Sequence, residues 1–85
     1  MTEFQAEVRV TPRAGLLDPE GKAIQNALHS LDFSSVDEVR VGRLIHIRLQ
    51  ARSATEAHAL LDAMCKKLLA NPVTEDFEVV LEQTV

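Results

Sequence analysis

Eighty-five residues carry nine Lys and Arg against thirteen Asp and Glu, a net charge of −4 at neutral pH. That balance argues against nucleic acid or an anionic membrane surface as a partner, because both need a basic footprint. One cysteine excludes an internal disulfide framework, and so short a chain buries only about 60–65% of its unfolded surface, so that association with other subunits is a natural source of stability.

The first segment alternates. Phe4, Ala6, Val8 and Val10 point one way, and Glu3, Gln5, Glu7, Arg9 and Thr11 the other, which predicts a strand with one buried face. Pro12 ends it. Asp18-Pro19 then marks a helix start: Asp suits the N-cap and Pro the first helical position, where a missing N–H costs nothing. The helix is expected over 19–31, with Ala23, Ile24, Ala27, Leu28 and Leu31 on an apolar stripe and Lys22, Gln25, Asn26 and His29 opposite. Gly21 is anomalous there, since Gly is about 1 kcal/mol worse than Ala inside a helix. Its presence suggests either close approach by another backbone, a ligand or a partner chain, or simple tolerance of Gly in a fraying first turn.

After turn chemistry at 32–35, a strand is expected at 36–41, followed by Gly42-Arg43 and a second strand at 44–51. Gly42 reads as a tight hairpin or as a bulge in one long bent strand. Ile45, Ile47 and Leu49 would face the core, and Leu44, His46, Arg48 and Gln50 away from it. Ser53-Ala54-Thr55-Glu56 is a capping box for a helix whose core face carries Ala57, Leu60, Leu61, Met64, Leu68 and Leu69. Asp62 and Lys66 are spaced for an i,i+4 pair. Asn71-Pro72 stops that helix, with Asn suited to a left-handed cap position. A last strand, 76–84, alternates Phe77, Val79 and Leu81 with Glu78, Val80 and Glu82.

The order β-α-β-β-α-β, with one apolar stripe per helix and one apolar face per strand, predicts a single domain over 1–85. Its class is α+β, a two-layer sandwich of ferredoxin-like type, with an antiparallel sheet and both helices on one face. His29 and His46 fall on polar faces and His58 on a helix edge near the cap, without metal-ligand spacing. Cys65 reads as a small core hydrophobe. Phosphate loops, a G-x-S-x-G elbow and a nucleophile–base pair are all missing from the sequence. Phe4, Phe33 and Phe77 fit the core or its rim, which disfavours base stacking on an open sheet face. The start Met1-Thr2-Glu3-Phe4 lacks signal-peptide regions, and no apolar run approaches membrane-spanning length; a cytoplasmic protein is the expectation. What remains is a small non-catalytic module that binds either a small molecule or another protein.

Three blocks narrow that choice. They are Gly15-x-Leu17-Asp18-Pro19-x-Gly21-x-Ala23 with Ala27-Leu28-x-x-Leu31, then Val39-Arg40-Val41-Gly42-Arg43, then Cys65-x-Lys67-Leu68-Leu69-Ala70-Asn71-Pro72-Val73-x-Glu75-Asp76-Phe77-Glu78. In this order and spacing the chain resembles the PurS family, the small subunit of multi-subunit phosphoribosylformylglycinamidine synthase. It departs from the family pattern at Ala14, where Pro often precedes the Gly, and at Asp32, where Gly often ends the first helix. The resemblance implies a PurS-like domain and a part in purine synthesis, in which formylglycinamide ribonucleotide, glutamine and ATP yield formylglycinamidine ribonucleotide. It implies no catalytic residue and no cofactor in this chain, with ATP and magnesium acting in the large synthetase subunit. It implies homodimers or higher homo-oligomers that bridge the synthetase and glutaminase subunits and support ammonia transfer. Asp18, Pro19, Gly21, Arg40, Gly42, Arg43, Asn71 and Pro72 become candidate subunit-interface residues. The competing reading is an ACT-like regulatory module that binds an amino acid, which has the same element order and a Gly-Leu-Leu turn like Gly15-Leu16-Leu17.

Overall fold

The computed structural model describes residues 1–83. Strand β1 (Thr2–Pro12) is central, flanked by β2 (Arg43–Ala51) and β3 (Glu75–Gln83), both antiparallel to it, in the order β2-β1-β3. Register pairs Ala6 with Ile47 on one side and with Leu81 on the other. The alternation predicted for β1 holds: Phe4, Ala6, Val8 and Val10 are at most 4% exposed. Thr84, placed in the last strand from the sequence, lies outside the described residues.

Helix α2 (Ala54–Met64) covers the apolar face of this sheet. Ser53 Oγ accepts the Glu56 N–H at 3.1 Å, as the capping box requires, and Lys66 Nζ meets Asp62 at 2.9 Å. Leu61 and Cys65 are fully buried against Ala6, Val8 and Val10. Each fully buried aliphatic side chain contributes about 1.5–3 kcal/mol. Beyond Met64 the helix widens into one π-turn, Cys65–Leu69, closed by the Ala70 N–H donating to the Cys65 carbonyl. An i+5 bond admits an extra residue in the turn and so sets back the phase of the residues beyond it. Leu69 therefore packs inward while Leu68, predicted in the core, is 82% exposed. Asn71 is not left-handed; its Oδ1 instead accepts the Val73 N–H at 3.0 Å.

Two expectations about 36–42 are corrected. The segment 36–42 forms no strand, so the element order is β-α-β-α-β. Its backbone bonds elsewhere: the Val36 and Asp37 carbonyls contact His29 Nε2 at 2.7 Å and accept from Gln25 Nε2 at 3.2 Å. Neither a hairpin nor a long bent strand forms at Gly42, which instead lies against the Val10 carbonyl, where a Cβ would collide.

The first helix, α1 (Pro19–Ser30), does not share the covered face of the sheet; it has no substantial packing against any other element. Ala23, Ile24, Ala27 and Leu31 of its stripe are exposed, as is Phe33. The radius of gyration is 16.6 Å and the long axis 52 Å, whereas a compact chain of this length has a radius near 12 Å. Helix α1 and 36–42 thus form an arm reaching beyond the sheet. Asp32, at the end of α1, takes φ 73°, the left-handed conformation that Gly would adopt freely and Asp tolerates.

Candidate functional site

The eight candidate residues fall into two clusters joined through 41–43. The first is at the base of the arm. Asp18 caps α1 through Oδ1, which accepts the Gly21 N–H at 3.1 Å, and its Oδ2 accepts the Val41 N–H at 3.0 Å. One carboxylate thus fixes both the start of the helix and the returning chain. Those two backbone donors, the Val41 N–H first, hold the Asp18 carboxyl below its usual range, and the nearby Arg40 cation adds to this. Pro19 occupies the first helical position. Gly21 is buried, and a Cβ there would strike the Val39 carbonyl oxygen and the Asp18 side chain. The bareness of this turn therefore serves an approach within the chain, not a partner backbone. A shallow groove of about 530 Å³ beside it is lined by Leu16, Leu17, Asp18, Lys22, Val39 and Arg40.

The second cluster forms where β2 begins. Arg43 Nη1 and Nη2 fork onto the Glu75 carboxylate at 2.9 and 3.1 Å, and Nη2 also donates to the Leu69 carbonyl at 2.7 Å. Glu75 Oε1 accepts the Asn71 N–H at 2.8 Å. That backbone donor first, and Arg43 second, hold the Glu75 carboxyl below its usual range. A planar fork of this kind fixes geometry as well as charge. Pro72 is exposed at the tip of the turn.

Arg13 was not singled out from the sequence, yet it clamps the same turn. Its side chain donates to the carbonyls of Val73, Pro72 and Glu75 at 3.1, 3.0 and 3.3 Å and to Asp76 Oδ1 at 3.2 Å. Its backbone N–H donates to the Thr74 carbonyl at 2.8 Å. Nothing near Pro12-Arg13 in the sequence signals this reach, because the acceptors lie about sixty residues away. Glu75 was likewise missed as a functional side chain.

Chemically, both clusters hold backbone in place. Asp18 and Glu75 are engaged by donors and Arg13 and Arg43 by acceptors, and no described nucleophile faces a base within the clusters. Among the described residues no group of three or more His, Cys, Asp or Glu could hold a metal ion, and burial pushes the Cys65 thiol up, away from its reactive form. No helix of the described residues is long and apolar enough to cross a membrane. What the clusters present outward are Pro19 and Arg40 on the arm and Pro72 and Val73 on the turn, with Leu68 nearby in sequence.

Comparison with known proteins gives one answer. A family described as PurS, phosphoribosylformylglycinamidine (FGAM) synthase, matches residues 5–83. The phosphoribosylformylglycinamidine synthase subunit PurS of Bacillus subtilis is 37% identical over 82 residues, which cover 96% of each chain. That of Methanocaldococcus jannaschii is 39% identical over 80 residues, 94% of this chain and 96% of the relative. Among solved structures, one described as PurLQS from Thermotoga maritima aligns with a TM-score of 0.86 at 30% identity, over 99% of this chain and 100% of that one. The crystal structure of the M. jannaschii protein aligns at 0.84 and 38% identity, over 96% and 99%.

The base of the arm yields two expected outcomes. Gly21→Ala gains helix propensity, yet the collision with the Val39 carbonyl outweighs it; a net loss of about 1–2 kcal/mol is expected in chemical denaturation at fixed protein concentration. Asp18 is depressed in the folded chain, so its contribution is fully present above the unfolded carboxylate pKa of about 4 and is lost as pH falls through the lower folded value. The stability difference between the wild type and Asp18→Asn, followed by thermal denaturation against pH, should be flat from neutral to mildly acidic pH and vanish at strongly acidic pH.

Proposed function

This chain belongs to the PurS family, subunits of phosphoribosylformylglycinamidine synthase in purine biosynthesis, and on that premise we propose that it acts as the non-catalytic bridge of the complex. In this reading a single PurS-like domain spans 1–85, and the protein works in the cytoplasm. It joins a glutaminase subunit, which releases ammonia, to a large synthetase subunit, which holds ATP, magnesium and the ribonucleotide. Ammonia that escapes to water is protonated and ceases to be a nucleophile, so a sealed junction between the two active sites has a chemical purpose. The observation that carries the reading is the full-length match to the subunits of such a complex, including the PurLQS structure. The ACT-like alternative finds no support in the relatives.

Homodimerisation is part of the same proposal, and the arm supports it. The stripe of α1 is a helix face without a sheet, while Ile45, Ile47 and Leu49 on β2 are only half-buried. The outer edge of β2 has no neighbouring strand among the described residues. One chain therefore carries both an exposed apolar helix face and an apolar row that its own core covers only in part, and a two-fold pair of chains satisfies both at once. The eight candidate residues act here by fixing the arm and the 70–76 turn in the positions that partner chains meet.

Omitting the chain from a mixture of synthetase and glutaminase subunits should reduce glutamine-dependent turnover to background; equal rates with and without it would overturn the bridging role. Ile24→Glu breaks the centre of the stripe without lowering helix propensity. In sedimentation the wild type should run as a dimer or larger and the variant as a monomer.

A further inference from the structure

The arm differs in kind from the rest of the protein. The sheet and α2 share a dry core, whereas the arm holds one buried residue, Gly21, in its helix. Helix α1 has 12 residues, at or below the roughly 12–15 at which isolated helices become marginal in water. Its composition does not compensate, since Gly21, Asn26, His29 and Ser30 are all middling or poor helix formers. Most helical stability in proteins comes from packing an apolar face, and here Ala23, Ile24, Ala27 and Leu31 are exposed, with no strand or other helix packed substantially on them. The ties to the returning segment 36–42 are three side chains, Asp18, Gln25 and His29, of which Gln25 and His29 make solvent-exposed bonds.

Resting on the homodimer reading above, we infer that residues 17–42 are an order–disorder element: they open in the free protomer and become helical as α1 docks on a second copy. The second copy is the occupant because the chain itself carries the complementary surface, the half-buried row of β2 beside its open edge. Asp18 and Pro19 preset the first turn, so the opened arm keeps its nucleation site and needs only an apolar surface to propagate. The sheet and α2 stay folded throughout. Assembly of this subunit is then folding coupled to binding, and protomer concentration sets how much of the arm is ordered.

Hydrogen exchange read by mass spectrometry tests this with the full chain. In wild-type assemblies the amides of 19–31 should exchange at least about 100-fold more slowly than in an unstructured peptide. In monomeric Ile24→Glu the same amides should fall within about threefold of unstructured rates while those of 2–12 keep their protection. Slow exchange across 19–31 in the monomer, comparable to 2–12, would overturn the inference. If Ile24→Glu loses protection in 2–12 as well, Ala27→Glu replaces it with the same expectations. Should the wild type prove monomeric at every concentration, sedimentation alone rejects the dimer, and exchange in the wild type then decides separately: fast exchange in 19–31 beside protected 2–12 upholds the opening arm, and slow exchange rejects it.

Discussion

A single carboxylate determines what the second quarter of the chain becomes. Asp18 is shared between two backbone donors, one that begins a helix and one that belongs to the chain coming back, 23 positions later. Without it, the Val41 N–H would be available to a neighbouring strand, and 36–41 has the β-branched residues to be one. With it, the segment runs along the helix start, close enough that the first turn must lack a side chain. Pro19, Gly21, Val39 and Arg40 are arranged around that one bifurcation.

The polar residues of the two clusters are engaged in shaping backbone. Arg13 and Arg43 approach the 70–76 turn from the ends of two different strands and meet four carbonyls in and beside it, at Leu69, Pro72, Val73 and Glu75. Exposed ion pairs contribute little to stability, so these forks are better understood as fixing shape than as storing energy. The bridging role proposed above calls for such firmness at the turn, because in that role the chain would transmit the relative position of its neighbours.

The β1 alternation, the caps at Asp18 and Ser53 and the Asp62–Lys66 pair were legible because each is a local relation within about four residues or a strict period of two. The fate of 36–42 was not, since extended chain looks alike whether it bonds to a strand or to helix side chains; the deciding atoms belong to Asp18, Gln25 and His29. Periodicity in 19–31 did identify an amphipathic helix correctly, but periodicity states that a face is apolar and not whose core it enters. Gly21 signalled a close approach and left its source open, and the source is the chain's own Val39. Arg13 gave no local signal at all. Family resemblance supplied the function, which no pattern of charge or period in so short a chain contains.

The π-turn after Met64 divides two leucines that are adjacent in sequence. A regular helix would leave both Leu68 and Leu69 on the stripe of Leu61 and Cys65. The wider turn separates them: Leu69 packs against the core, and Leu68 stands on the surface at 82% exposure. One irregular hydrogen bond, from Ala70 to Cys65, thus lets a chain with few residues to spare finish its interior and present an apolar contact to its surroundings from the same turn of helix.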